Sequence, residues 1–221
     1  MTLGEEYKFA AVFDMDGVLL DSPKLNWQAN NEVLARYGIT IPVDKLHLYV
    51  GHTLKDTVMK LNETYNLRLD YEDFRAQTDV IKKELFENIQ PKEGVKELLE
   101  VLSSRNVPLA VATSMPRDLT EKRLTTAGII DFFDALVTED DVLNHKPNPE
   151  VFLKAASCLG VSPSVCVVFE DAPAGLQAAR AAGMKCVAIK TDFVPEDKLK
   201  DAFIVVDSMT QINYALLESA M

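Results

Sequence analysis

Three observations in this sequence predict an α/β fold, a doubly wound parallel sheet with an inserted all-helical domain. Phe9 to Phe13 is an unbroken apolar run of bulky and branched residues, the pattern of a strand covered on both faces. From Lys92 onward strand-like and helix-like stretches alternate, which implies crossover connections and parallel pairing. Residues 23–90 carry helical periodicity and no convincing strand, so the alternation is interrupted directly after its first strand. The expected division is an α/β core domain of residues 1–22 and 91–221 around a helical domain of residues 23–90.

In chain order, the first strand gives way at Asp14, and Gly17 supplies the backbone freedom for a sharp turn. Ser22 and Pro23 form a helix start, the serine as a cap and the proline at the first helical position. Leu25, Ala29, Val33, Leu34 and Tyr37 then recur at helical spacing until Gly38. Further helices are expected over 54–65 and 71–89. Pro91 marks the return to the alternating pattern. Helices are expected over 93–104, 117–127, 149–159 and 174–182, and strands over 108–112, 135–137, 165–169, 185–189 and 204–206, with a terminal helix.

A chain of 221 residues accommodates one packed domain plus a smaller inserted one, and 48% hydrophobic residues suit a globular protein. The net charge of −11 comes from scattered acids, and the sequence holds no basic cluster of the kind that follows a phosphate backbone. Nucleic acid polymers and anionic membranes are therefore poor partners, and no apolar segment is long enough to span a bilayer. The first residues, MTLGEEYK, lack a basic stretch followed by an apolar core, so a cytoplasmic protein, a monomer or weak dimer, is expected. Cys158, Cys166 and Cys186 show no CxxC spacing, and the last two lie in apolar runs; buried reduced thiols are expected rather than a catalytic cysteine.

In an open parallel sheet the ligand crevice lies beyond the carboxyl ends of the strands. There the sequence places Asp14 and Asp16, Thr113 and Ser114, Lys146, and Glu170 and Asp171. Each has an ordinary reading. Asp14 to Gly17 can be a polar turn, Thr113 and Ser114 helix caps, Lys146 in NHKPNPEVF a solvated lysine, and Glu170 and Asp171 acids at a positive helix end. Together they gather carboxylates, a hydroxyl pair and an ammonium on one sheet edge. Two desolvated carboxylates repel each other unless one is protonated or a cation neutralises them, so Asp14 and Asp16 imply a shifted pKa or a divalent metal. Oxygen donors without a His or Cys cluster suit Mg²⁺. Thr113 and Ser114 can hold phosphate oxygens and Lys146 can offset their charge, so one carboxylate can attack phosphorus while the second acts as acid and base.

FDMDGVLLDS, the strand ending in Thr113, HKPNPEVF and VVFEDAPAGLQAARAAGM resemble the four motifs of the haloacid dehalogenase superfamily. The resemblance is to its subgroup of β-phosphoglucomutase-like phosphatases with a helical cap, and it covers nearly the whole chain in order. It implies a Rossmann-like core, Mg²⁺ as cofactor, and a small-molecule phosphate ester, a sugar phosphate or nucleoside monophosphate, hydrolysed through an aspartyl-phosphate. It makes Asp14 the nucleophile, Asp16 the general acid and base, Thr113 and the Ser114 amide the phosphoryl binders, and Lys146 the charge that steadies them. The implied metal ligands are Asp14, the backbone carbonyl of Asp16, and Asp171, with Glu170 as a ligand or beside one. The helical domain becomes a cap that closes over substrate.

Two departures from the subgroup bear on activity. The histidine and arginine that its sugar phosphomutases carry in the cap fall on Asn26 and Leu54, which favours hydrolysis over mutase action. No lysine stands in the first cap helix in the manner of the phosphonate hydrolases, although Lys24 is close to that place. Asn26, Trp27, His52 and Lys55 are the cap candidates for substrate contact, with His52 equally readable as an exposed loop residue and Trp27 as packed core. A non-catalytic binding or regulatory protein on the same scaffold is the alternative of another class, although a binder has no need of two acids spaced as nucleophile and proton donor.

Overall fold

The computed structural model describes residues 8–42, 45 and 54–219. The chain divides into two compact units, Met1–Asp21 with Gln90–Thr191 and Glu196–Met221, and Ser22–Ile89 with Asp192–Pro195. The strands are β1 Ala10–Phe13, β2 Leu109–Ala112, β3 Ala135–Val137, β4 Cys166–Glu170, β5 Lys185–Ile189 and β6 Ile204–Val206. The helices are α1 Ser22–Ala35, α2 Leu54–Tyr65, α3 Tyr71–Phe86, α4 Val95–Ser103, α5 Arg117–Thr126, α6 Glu150–Leu159, α7 Pro173–Ala181 and α8 Tyr214–Ser219.

In the first unit the strands form one sheet of order β3-β2-β1-β4-β5-β6, and every pairing is parallel. All four residues of β1 are buried, as an apolar strand covered on both faces requires. Phe13 at its end stacks on Phe169 of β4, the ring centroids 4.4 Å apart. Helix α6 packs on β1, β2 and β3, and α7 packs on β4 and β5. Local signals set the helix ends: Pro173 opens α7 at its first turn, and Gly160, in the left-handed region at φ 69°, closes α6. Because β2 lies on one side of β1 and β4 on the other, the winding reverses at β1. In open parallel sheets such a reversal is where the ligand crevice lies, beyond the carboxyl ends of the strands.

The second unit is helical. Trp27, Val33, Leu34, Val58, Leu61 and Phe74 share its buried cluster. Two asparagines clamp its loops: Asn31 exchanges two hydrogen bonds with the backbone of Ile41, and Asn62 does the same with Leu69. Asp70 caps α3, its carboxylate accepting the Asp73 amide at 3.0 Å.

Apart from shifts of one or two residues at element ends and at the domain boundaries, where Ser22 joins the helical unit and Gln90 the core, the structure differs from expectation at four places. Asp192–Pro195, inside the 91–221 span assigned to the α/β domain, belong to the helical unit, because Phe193 is buried in its apolar cluster. The helix expected over 71–89 stops at Phe86. The amides of Glu87 and Ile89 reach back only three residues, and Pro91 disfavours helical geometry at Gln90. Glu170, expected just past its strand, is the last residue of β4 and pairs with Ala188 of β5. Cys166 and Cys186 are buried, but Cys158 is exposed on α6. Among the described residues no helix is long and apolar enough to cross a membrane.

Candidate active site

Parallel pairing continues one residue past β1, where the Asp14 amide donates to the Phe169 carbonyl at 2.9 Å and so brings Asp14 alongside Glu170. The chain then coils tightly: the amides of Leu19 and Leu20 donate to the Met15 carbonyl, and the Gly17 amide donates to the Leu20 carbonyl at 2.8 Å. Gly17 sits at φ +83°, and a Cβ built there would lie 2.0 Å from Oδ2 of Asp171. The Asp171 carboxylate thus occupies the space that only glycine leaves open, and Lys92 Nζ ties the loop down through the Gly17 carbonyl at 2.7 Å. Gly175 on α7 plays the same part for Glu170, since its Cβ would fall 1.8 Å from Oε1. We expect Gly17→Ala to displace Asp171 and to raise the Mg²⁺ concentration for half-maximal thermal stabilisation about 10–100-fold. An unchanged Mg²⁺ titration would show that the close approach does not hold the carboxylate.

Lys146 is the hub. Its Nζ donates to Oδ1 of Asp14 at 2.6 Å, to Oε1 of Glu170 at 2.7 Å and to the Ala112 carbonyl at 3.0 Å, which accounts for all three ammonium protons. The other Glu170 oxygen accepts the amides of Asp171 and Ala172 at 3.0 and 3.1 Å. Glu170 therefore positions Lys146 and shapes the turn into α7 at once. Thr113, buried at the end of β2, accepts the Met115 amide on its hydroxyl at 3.2 Å, while Ser114 is exposed. Arg117 at the start of α5 braces this turn, its backbone amide donating to Asp140 and its guanidinium to Asp141 at 2.6 Å.

Asp16 takes a separate course. Its Oδ1 accepts Nη1 of Arg123, on α5, at 3.0 Å, and its carboxylate is not in the group formed by Asp14, Glu170 and Asp171. That group brings one oxygen of each acid within 4.8 Å of the others, the arrangement among the described residues that could hold a metal ion. Burial pushes the Asp14 carboxyl up to about 7, with Glu170 and Asp16 adding to the rise and Lys146 opposing it. Burial, followed by the charges of Glu170 and Asp14, raises Asp171 well above the usual carboxylate range. Burial works against the Lys146 ammonium, but the charges of Asp14 and Glu170 outweigh it and hold the lysine above its ordinary value. Three buried acids thus share the Lys146 ammonium, and Lys92 adds a second positive charge only on the side of Asp171. The surplus negative charge must be neutralised by protons or by a cation, and carboxylate oxygens alone fit a hard divalent ion.

Of the residues singled out in the sequence, Asp14, Lys146, Glu170 and Asp171 converge in this way, with Thr113 at the neighbouring strand end. Asn26 is half-buried on α1 and Lys55 is exposed in the first turn of α2. Trp27 is packed core, and His52 lies outside the described residues. Lys92, Gly175 and Arg123 were not anticipated. A lysine or arginine looks the same in sequence whether it is solvated or turned inward, and no local pattern marks the difference.

The family model described as haloacid dehalogenase-like hydrolase matches residues 11–189. The chain is 34% identical over 210 residues to a validoxylamine A 7′-phosphate phosphatase of Streptomyces hygroscopicus, covering 92% of this chain and 95% of that one. It is 35% identical over 182 residues to a fructose-1-phosphate phosphatase of Escherichia coli, covering 81% and 95% of the two chains. A crystal structure from Thermotoga maritima, provisionally named a beta-phosphoglucomutase, superposes with a TM-score of 0.80 at 31% identity, covering 95% of this chain and 99% of that one.

Proposed function

Because the chain belongs to the haloacid dehalogenase-like hydrolases and is a phosphomonoesterase of that family, we propose that it hydrolyses a small sugar phosphate through an aspartyl-phosphate on Asp14. The observation that carries this reading is the buried Asp14 carboxylate at the end of β1, held by Lys146 at 2.6 Å next to Asp171 and Glu170.

In the first step a carboxylate oxygen of Asp14 bonds to phosphorus and the ester P–O bond breaks. The departing oxygen keeps the electron pair, takes the proton of Asp16 and leaves as the alcohol. In the second step Asp16, now ionised, takes a proton from water as the water oxygen bonds to phosphorus. The bond to Asp14 breaks, and inorganic phosphate is released. The Thr113 hydroxyl and the Ser114 amide hold the phosphoryl oxygens, and Lys146 offsets their charge. Asp14, Asp171 and the Asp16 backbone carbonyl would hold Mg²⁺, which supplies positive charge against the phosphoryl group when bound. Glu170, whose two oxygens already accept three hydrogen bonds, serves by fixing Lys146. Asn26 and Leu54, in place of the mutases' histidine and arginine, leave water as the acceptor rather than a second hydroxyl of the sugar.

The test is phosphate release from a panel of sugar phosphates and nucleoside monophosphates, after chelator treatment and with millimolar Mg²⁺ restored. Release that requires the metal is expected; an isomerised sugar phosphate without free phosphate would establish a mutase, and no turnover of any ester would overturn the reading.

The same site predicts a linked effect of pH. The raised pKa values of Asp14 and Asp171 mean that the metal-free fold keeps protons that the unfolded chain loses above about pH 4. The folded state of the chelated protein therefore loses stability as pH rises towards 7, and a cation is most needed above that window. Mg²⁺ is expected to raise the unfolding midpoint more at pH 8 than at pH 5. An equal shift at both values would contradict a site built on these carboxyls.

A further inference from the structure

Each acid of the buried group is held by contacts at the strand ends themselves, whereas Asp16 is held from a distant part of the chain. Asp14 is held by Lys146, Glu170 by Lys146 and two amides, and Asp171 by the space over Gly17. Asp16 sits on the loop beyond β1 with its side chain 28% exposed, and a short acid so placed samples several rotamers unless a partner selects one. Its partner comes from 107 residues further along the chain: Nη1 of Arg123 reaches Oδ1 at 3.0 Å. The Arg123 side chain is only 15% exposed, whereas the ion pairs Arg75–Asp79 and Arg180–Asp201 leave both partners more than half in solvent. Drawing a guanidinium out of water costs desolvation that offsets much of the attraction in such a pair, so the geometry it fixes is a gain separate from net stability.

The helix that carries Arg123 is itself fixed. Thr120 donates its hydroxyl to the Pro116 carbonyl at 2.9 Å, Leu124 is fully buried, and Arg117 is clamped to Asp140 and Asp141 beyond β3. A rigid donor holding one carboxyl oxygen sets where the other oxygen lies, since the Asp16 backbone is fixed by the Gly17 turn. We infer that Arg123 is a positioning residue for the acid–base carboxyl, placing Asp16 for proton exchange with the departing ester oxygen. This rests on the phosphatase reading above.

The consequence is specific to leaving groups that need a proton. When Asp14 displaces 2,4-dinitrophenolate, the oxygen leaves as a stable anion and no acid is required; when it displaces a sugar alkoxide, the P–O bond breaks only as the proton arrives. The value of kcat/KM covers only the steps up to departure of the alcohol, so water activation in the second step does not enter. Arg123→Met is expected to lower kcat/KM for the best sugar phosphate of the panel by about 10–100-fold, and for 2,4-dinitrophenyl phosphate by less than about threefold. Arg123→Lys, with a shorter single donor, recovers part of the loss. Added to Asp16→Asn, Arg123→Met costs nothing further. The ratio between the two esters does not depend on how much of a variant is folded, so the comparison holds for a destabilised Arg123→Met protein as well. An equal loss on both esters, or a loss that multiplies with that of Asp16→Asn, overturns the inference while the phosphatase reading stands. A wild-type chain that releases phosphate from neither ester overturns both.

Discussion

Asp14→Asn is expected to reduce phosphate release at least about 10⁴-fold while leaving the protein folded. The amide is the same size as the carboxylate, and its oxygen can still accept a hydrogen bond from Lys146, which also keeps its contacts with Glu170 and the Ala112 carbonyl. What the amide cannot do is attack phosphorus. Folding is checked by circular dichroism and activity by phosphate release from the best substrate of the panel. Release within tenfold of wild type would remove Asp14 from the role of nucleophile.

The same substitution changes the pH dependence of stability, with a sign that follows from the raised carboxyl. Folded Asp14 titrates near 7 against an ordinary value of 3.8, so between these the native state holds a proton that the unfolded chain has released. Its contribution to stability is present below about pH 4 and is lost as pH rises through about 7. An asparagine has no such window. In chelated protein, the decline in urea-unfolding free energy between pH 4 and 7 should be shallower in Asp14→Asn by on the order of 2 kcal/mol. Parallel curves would show that solvent reaches the carboxyl more freely than its burial indicates.

Lys146→Met carries the largest expected effect on stability. Its side chain is 8% exposed, and its two acidic partners, Asp14 and Glu170, are 11% and 2% exposed. Removing the ammonium leaves both acids buried with their cation gone, a change that costs about 3–5 kcal/mol for a broken buried pair. For a chain of this length that is a fall in unfolding midpoint of roughly 6–20 °C. The methionine fills similar volume and rests against the Phe152 ring, whose centroid lies 4.9 Å from Nζ, so lost packing contributes little. Because the penalty is the orphaned charge, Lys146→Met combined with Glu170→Gln should be more stable than Lys146→Met alone. A second substitution that only adds to the damage would mean that the lysine acts through packing. Mg²⁺ should recover part of the loss, since it answers the same surplus charge.

Much of this protein was legible one residue type at a time. The apolar β1, the alternation after Lys92 and the strandless stretch between them are local patterns whose period follows from backbone geometry, and they determined an α/β sheet with a helical insertion. The motif residues determined the family, because an Asp-x-Asp-Gly turn and an acidic pair before a glycine-containing helix combine residue types with few other uses in that order. Boundaries were harder to read where packing overrides propensity, as at Phe193, which leaves the α/β stretch to fill the helical core.

Only the tertiary structure decided which charges meet. Apart from the likeness of HKPNPEVF to a family motif, no local physical signal separates Lys146 from a solvated loop lysine until β1, β2 and β4 lie in register and bring the Asp14, Ala112 and Glu170 oxygens to one point. Nor does anything near Arg123 announce its pairing with Asp16, or near Gly17 and Gly175 the carboxylates lying against them. The reason is physical: periodicity and turn chemistry act over a few residues, whereas desolvation and Coulomb energy depend on distance in space, which the folded chain alone sets.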